Sequence, residues 1–167
     1  LVYPVVHSSA NGIPLGAEPN ERYQRMAMFD TGILLRMLGL NLADLVVQGI
    51  ENLINKGSLA EIFVANELVK NSSCYEPSRL YCWHREKKDS QAEVDFVIQK
   101  GYDIVPIEVK SGTKGSMQSL RIFMEEKKTQ YGIRTSLENF SSYENIKVYP
   151  LYAIGNLIKE CFYIAWE

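Results

Sequence analysis

Two apolar runs rich in β-branched residues, "EVDFVIQ" and "IVPIEVK", with charged residues only toward their outer ends, flank Lys100-Gly101-Tyr102-Asp103. A period of two is the signature of a strand, and Gly at the first central position of a two-residue loop suits a II′ turn. The stretch 93–112 therefore predicts a β-hairpin. Its register faces Phe96 with Ile107, Ile98 with Val105 and Val94 with Val109 on one side of the sheet. On the other side Asp95 faces Glu108, and Glu93 faces Lys110. Upstream, "SLAEIFVANELVK" is apolar around nearly its whole circumference, the pattern of a buried helix, with Ser58 as its expected cap.

The remaining pattern supplies further elements. Residues 1–29 read as a strand, a loop "SSANGIPLGAEPN" and a second strand "RYQRMAMF". Asp30 or Thr31 caps a short helix, "GILLRMLGL". Leu42, Leu45, Val46, Ile50, Leu53 and Ile54 have helical spacing, and Gly57 stops that helix. "SRLYCWHR" is a strand. "SMQSLRIFMEEKKTQ" is a helix, apolar at Met117, Leu120, Phe123 and Met124. "YGIRTS" is a strand, "NFSSYEN" a loop and "IKVYPLYAI" a last strand weakened by Pro150. From Ser58 onward the expected order is α-β-β-β-α-β.

Composition narrows the class. The 167 residues are 46% hydrophobic and 23% charged, enough for one domain with a sizeable core. A net charge of −2 gives no global basic field for non-specific nucleic-acid binding. The local pairs Lys87-Lys88 and Lys127-Lys128 fit solvated faces. Cys74, Cys82 and Cys161 show no CxxC spacing, and neither His7 nor His84 has zinc-ligand spacing to them, so reduced cytoplasmic thiols are expected. No apolar run reaches transmembrane length. The chain opens without Met inside a predicted strand and reads as part of a longer protein.

The hairpin poses a chemical problem. Carboxylates directly opposite in an antiparallel pair have Cβ atoms about 4.5–5.5 Å apart and destabilise it. At about 4 Å they repel by roughly 1 kcal/mol in water and about 4 kcal/mol at an effective dielectric near 20. A divalent cation turns that repulsion into ligation by hard oxygens. Lys110 lies diagonal to Asp95 and reaches the same place. The bland alternative is a solvated face with a Glu93–Lys110 ion pair. Glu61 raises a similar question, because a carboxylate in a buried helix is rare unless paired or metal-bound; alternatively it only favours the helix N-terminus.

Asp95 of "EVDF", the "EVK" of "PIEVKSG" and Glu61 of "GSLAEIFVANEL", on those elements and in that order, resemble the PD-(D/E)XK nuclease superfamily. "GIPLGAEPNERYQRMAMFDTGILLRMLGL", "CWHREKKDSQAEVDFVI" and "IVPIEVKSG" narrow the likeness. They look like the C-terminal domain, of unknown function, of a bacterial and archaeal group of AAA+ ATPases. The resemblance implies an α/β, restriction-endonuclease-like core, α-β-β-β-α-β around a mixed sheet, with N-terminal helices and a strand-and-turn appendage. It implies a remnant of a winged-helix-like linker over 1–29 and the nuclease-like domain over 30–167. Val94 stands where the superfamily signature has Pro, which removes no ligand. The ATPase module, and ATP with it, is expected elsewhere in the full-length chain, since no GxxxxGK[ST] occurs.

The resemblance implies that Asp95, Glu108 and the carbonyl of Val109 hold Mg²⁺ or Mn²⁺, with Glu61 completing the site or holding a second ion. Lys110 then orients water or stabilises transition-state charge in phosphodiester hydrolysis. Glu93 is a supporting candidate, and Gln118 a candidate phosphate contact. His84, beside Trp83, suits stacking or acid–base work but fits a core or rim position better. Tyr102 is either a stacking residue or simply exposed. The functional expectation is a metal-dependent DNA endonuclease-like domain. The alternative is a catalytically silent module that binds nucleic acid or protein and regulates or targets the ATPase.

Overall fold

Lys100 faces Asp103 across the hairpin, and Phe96 faces Ile107, the register expected from the turn. Gly101 takes φ +62, the positive value that a II′ turn places at its first central residue. The computed structural model describes residues 1–41, 43, 56–86 and 92–159. The hairpin strands are β4 (Glu93–Lys100) and β5 (Asp103–Glu108). They lie at the centre of one eight-stranded mixed sheet, ordered β2-β1-β3-β4-β5-β6-β8-β7. The other strands are β1 (Val2–Ser8), β2 (Pro19–Met28), β3 (Leu80–His84), β6 (Gly132–Ser136), β7 (Ser141–Tyr143) and β8 (Ile146–Pro150). β1 pairs with β3 in parallel, as do β5 with β6 and β6 with β8; the other neighbours are antiparallel.

Four α-helices occur among the described residues: α1 (Thr31–Met37), α2 (Lys56–Lys70), α3 (Gln118–Lys127) and α4 (Asn156–Lys159). Ala60, Val64, Ala65 and Leu68 of α2 pack with Val5, Phe96, Val105, Ile107 and Ile133. Phe123 of α3 packs with Trp83, Val94 and Val97. Phe96 and Val97 are consecutive on a strand yet belong to different clusters, so α2 and α3 cover opposite faces of the sheet. No described helix is long and apolar enough to cross a membrane.

Several expectations change. Val94 does not share a face with Phe96. The β3–β4 pairing runs from Tyr81↔Val97 to Trp83↔Val94, so β4 advances one residue more than β3. This bulge turns Val94 to the face of Val97 and re-aims Asp95. Ser58 lies inside α2, which already includes Lys56, rather than capping it. "NFSSYEN" is not all loop, because β7 pairs with β8 and protects part of its edge. Pro150 ends β8, and Leu151–Ala153 form a 3₁₀ turn. Asp30 is the cap of α1, its Oδ1 accepting from the Ile33 N–H at 2.8 Å. The helix expected from Leu42 to Ile54, Lys87-Lys88 and Cys161 lie outside the described residues. Within residues 1–29 the expected strand, loop and strand form as β1, a loop with a 3₁₀ turn, and β2, and both strands join the same sheet.

Candidate functional site

Glu61, Asp95, Glu108 and Lys110 converge where β4 and β5 leave their ladder beside the first half of α2. The bulge directs Asp95 toward β5, and its Oδ2 accepts from the Val109 N–H at 2.7 Å. Lys110 Nζ meets Glu108 Oε1 at 2.6 Å. The Lys110 N–H donates to Thr135 Oγ1 at 2.9 Å on neighbouring β6, which anchors the backbone that carries the lysine. Gly115 follows closely: a Cβ there would stand 3.0 Å from Lys110 Cδ, and its φ is +151.

Arg25 completes the group and was not singled out in the sequence. Its Nη1 lies 2.9 Å from Glu61 Oε2 and 3.7 Å from Asp95 Oδ1. Its Nη2 donates to the Asp95 carbonyl. The guanidinium also sits over the Phe96 ring, 5.4 Å from its centroid. One signal could have found it: Arg25 lies two residues before buried Ala27, on the inner side of β2.

The carboxyls are held in a disfavoured charge state. Burial, reinforced by the charge of Asp95, pushes Glu108 up to about 7. Burial and then Asp95 also raise Glu61 above its ordinary value. Burial raises Asp95 despite the opposing Val109 N–H. Glu108 is 7% exposed, and its Oε2 is buried with no hydrogen-bond partner. The three carboxylates are hard oxygen donors and one has an orphaned oxygen, but among the described residues they do not bring three ligand atoms within 4.8 Å of one another as they stand.

The pairing of Glu93 with Lys110 does not occur. Glu93 Oε1 instead accepts from the Tyr23 hydroxyl at 2.6 Å, which pushes Tyr23 up to about 12. Val109 contributes its N–H to the group. Gln118 is exposed in the first turn of α3 and does not enter the bonds that hold the carboxylates. Tyr102 is 91% exposed at the hairpin tip. His84 stacks on Tyr23 at 3.7 Å between ring centroids.

Among the described residues, His7, His84 and Glu86 do bring three ligand atoms within 4.8 Å of one another. The hydrogen bonding counts against a metal there. His7 Nδ1 accepts from the His84 N–H at 3.3 Å, which leaves the proton of neutral His7 on Nε2. Nε2 faces Glu86 Oε1 at 3.4 Å. Metal-bound histidines usually donate through the other nitrogen, and here that nitrogen accepts. Burial and the neighbouring His84 lower the pKa of His7 and keep it neutral.

Residues 56–154, more than half of the chain, match the family described as "Domain of unknown function (DUF4143)". The chain belongs to that family. No curated protein and no solved structure matches it. The matched span of the DUF4143 domain includes Glu61, Asp95, Glu108 and Lys110, whereas Arg25, Tyr23 and His7 lie before it.

Proposed function

We propose that this DUF4143 domain is a PD-(D/E)XK-type, metal-dependent phosphodiester hydrolase acting on DNA, attached to an AAA+ ATPase. The observation that carries the reading is the orphaned Glu108 Oε2, buried beside Asp95 and Glu61 and two residues before Lys110, whose N–H is anchored on Thr135. Glu61, Asp95 and Glu108, with the Val109 carbonyl, would hold Mg²⁺ or Mn²⁺. Such an ion supplies Lewis acidity toward a phosphoryl oxygen and lowers the pKa of water.

The chain's own residues do the rest. The Val109 N–H orients Asp95. Glu108 holds Lys110 Nζ, and Thr135 fixes its backbone, so a positive charge is in place before charge develops on a phosphoryl group. In the metal-free chain Arg25 lies against both Glu61 and Asp95.

A second reading is a silent module that binds nucleic acid or protein for the ATPase. It is favoured by the cations already seated on the carboxylates, Arg25 on Glu61 and Asp95, and Lys110 on Glu108. Incubating the full-length protein with linear, branched and single-stranded DNA, with and without Mn²⁺, separates the two. Mn²⁺-dependent cleavage lost in Glu108→Ala and Lys110→Ala is the expected result. No cleavage of any DNA form would favour the silent module, and cleavage surviving both substitutions would place the site elsewhere.

A further inference from the structure

We infer that Arg25 is a tethered counter-cation that closes the carboxylate group in the metal-free chain and must leave it when a divalent cation enters. The inference rests on the metal-binding reading above and concerns how that site is controlled.

Three features carry it. First, Arg25 uses the oxygens a metal would need. Its Nη1 is 2.9 Å from Glu61 Oε2 and 3.7 Å from Asp95 Oδ1, so one guanidinium edge spans both carboxylates. A Mg²⁺ or Mn²⁺ ion bound to those carboxylates sits about 2.0–2.6 Å from their oxygens. The guanidinium then shares its space and adds like-charge repulsion, so the two cations compete. Secondly, Arg25 has a way out to solvent: its side chain is 36% exposed, and it reaches the site from β2, an edge strand. Its hold on the Asp95 carbonyl and on the Phe96 face gives it a seat that does not depend on metal. Thirdly, Arg25 pairs with Glu61 and Asp95 while Glu108 pairs with Lys110, and Glu108 Oε2 is left without a hydrogen-bond partner. Arg25 therefore serves Glu61 and Asp95, Lys110 serves Glu108 Oε1, and one buried oxygen, Glu108 Oε2, is left unserved. A divalent ion gains Glu108 in addition to what Arg25 already holds.

Arg25 also lies outside the 56–154 family match, on the strand pair that residues 1–29 contribute. Control of the site thus comes from a different part of the chain than its ligands.

The experiment is calorimetric titration of the whole 167-residue chain with MnCl₂, for wild type, Arg25→Met and Arg25→Lys. Met preserves apolar contact with Phe96 and removes the charge. The expected result is Mn²⁺ binding by Arg25→Met about tenfold tighter or more than by wild type, because a like charge has left the site. Arg25→Lys, with one donor head and no planar fork, should fall between them. Metal-free melting should run the opposite way, with both variants below wild type. If Arg25 only positions Glu61 and Asp95, both variants will bind Mn²⁺ more weakly than wild type. That result, or equal binding, overturns the inference and leaves the metal reading intact. If Arg25→Met does not fold, Arg25→Lys carries the same test: tighter binding supports the inference, equal or weaker binding overturns it. No binding by any folded form removes the metal reading and the inference together.

Discussion

Asp95 Oδ2 accepts the backbone N–H of Val109 at 2.7 Å, so a side chain takes over where the β4–β5 backbone ladder ends at Phe96↔Ile107. The bulge in β4 makes this possible by turning Asp95 toward the partner strand. Structure and chemistry are therefore coupled at one carboxylate. Asp95→Ala leaves the Val109 N–H without that acceptor, whereas Asp95→Asn retains an oxygen in its place. Asp95→Ala should be less stable than Asp95→Asn by about 1–3 kcal/mol in urea unfolding. Both should lose Mn²⁺ binding, since neither keeps the charge. Equal stability of the two would show that the hydrogen bond contributes little.

Glu108 gives a pH signature. Its folded-state pKa is raised to about 7, above the ordinary 4.5 of an unfolded glutamate, so the native state holds the extra proton between those values. Its contribution to stability is present below about 4.5 and is lost as pH rises through about 7. In metal-free buffer, Glu108→Gln should therefore melt higher than wild type at pH 8 and approach it at pH 5. A Glu108→Gln curve parallel to wild type at all pH values would contradict this. Excess Mn²⁺ should reverse the order at pH 8, because only the carboxylate gains from the ion.

Lys110 separates catalysis from folding. Its side chain is partly exposed and packs no apolar core. Lys110→Ala should retain a cooperative melt while lowering DNA cleavage by about 10²–10³-fold, the usual loss for one preorganised electrostatic contact. Full activity in a folded Lys110→Ala would remove it from the mechanism.

Gly115 tests the same lysine from outside. A methyl group there presses on Lys110 Cδ at 3.0 Å, and φ +151 disfavours any side chain. Gly115→Ala should lower both the melting temperature and cleavage, with a smaller rate loss than Lys110→Ala. Cleavage at the wild-type rate in Gly115→Ala would mean that Lys110 does not need its present seat.

Phe123 is the control for the opposite face. It is fully buried on α3 and packs edge-on against Trp83 at 5.1 Å, in the cluster away from α2. Phe123→Ala should cost about 3–5 kcal/mol. In conditions where it stays folded, its Mn²⁺ affinity should match wild type. Loss of affinity would show that the two faces of the sheet are coupled.

The hairpin, its Gly101 turn and its register as far as Phe96↔Ile107 were legible because strand period and turn chemistry are local; the expected ladder pairs Asp95–Glu108, Val94–Val109 and Glu93–Lys110 beyond it do not form. The apolar faces of α2 and α3 were legible for the same reason, and so was the Asp30 cap. The bulge was not. It depends on β3 offering one residue fewer than β4, a pairing that "EVDFVI" read alone does not specify. β7 was missed because "SSY" is exposed and polar, and only its pairing with β8 makes it a strand.

The same division runs through the candidate site. Sequence alone determined which acidic residues stand out, since a carboxylate in a buried helix and two on facing strands conflict with the cost of burying charge. Tertiary structure alone decided their partners. Arg25 is separated from Asp95 by 70 positions in the chain, and only sheet order and the path of β2 bring its guanidinium to both Asp95 and Glu61. Lys110 turns to Glu108, and Glu93 turns to Tyr23, because a side chain selects its partner by distance and desolvation in the folded chain. Period and propensity act over a few residues. Ion pairs act across whatever the fold places within about 4 Å, and no local pattern encodes that.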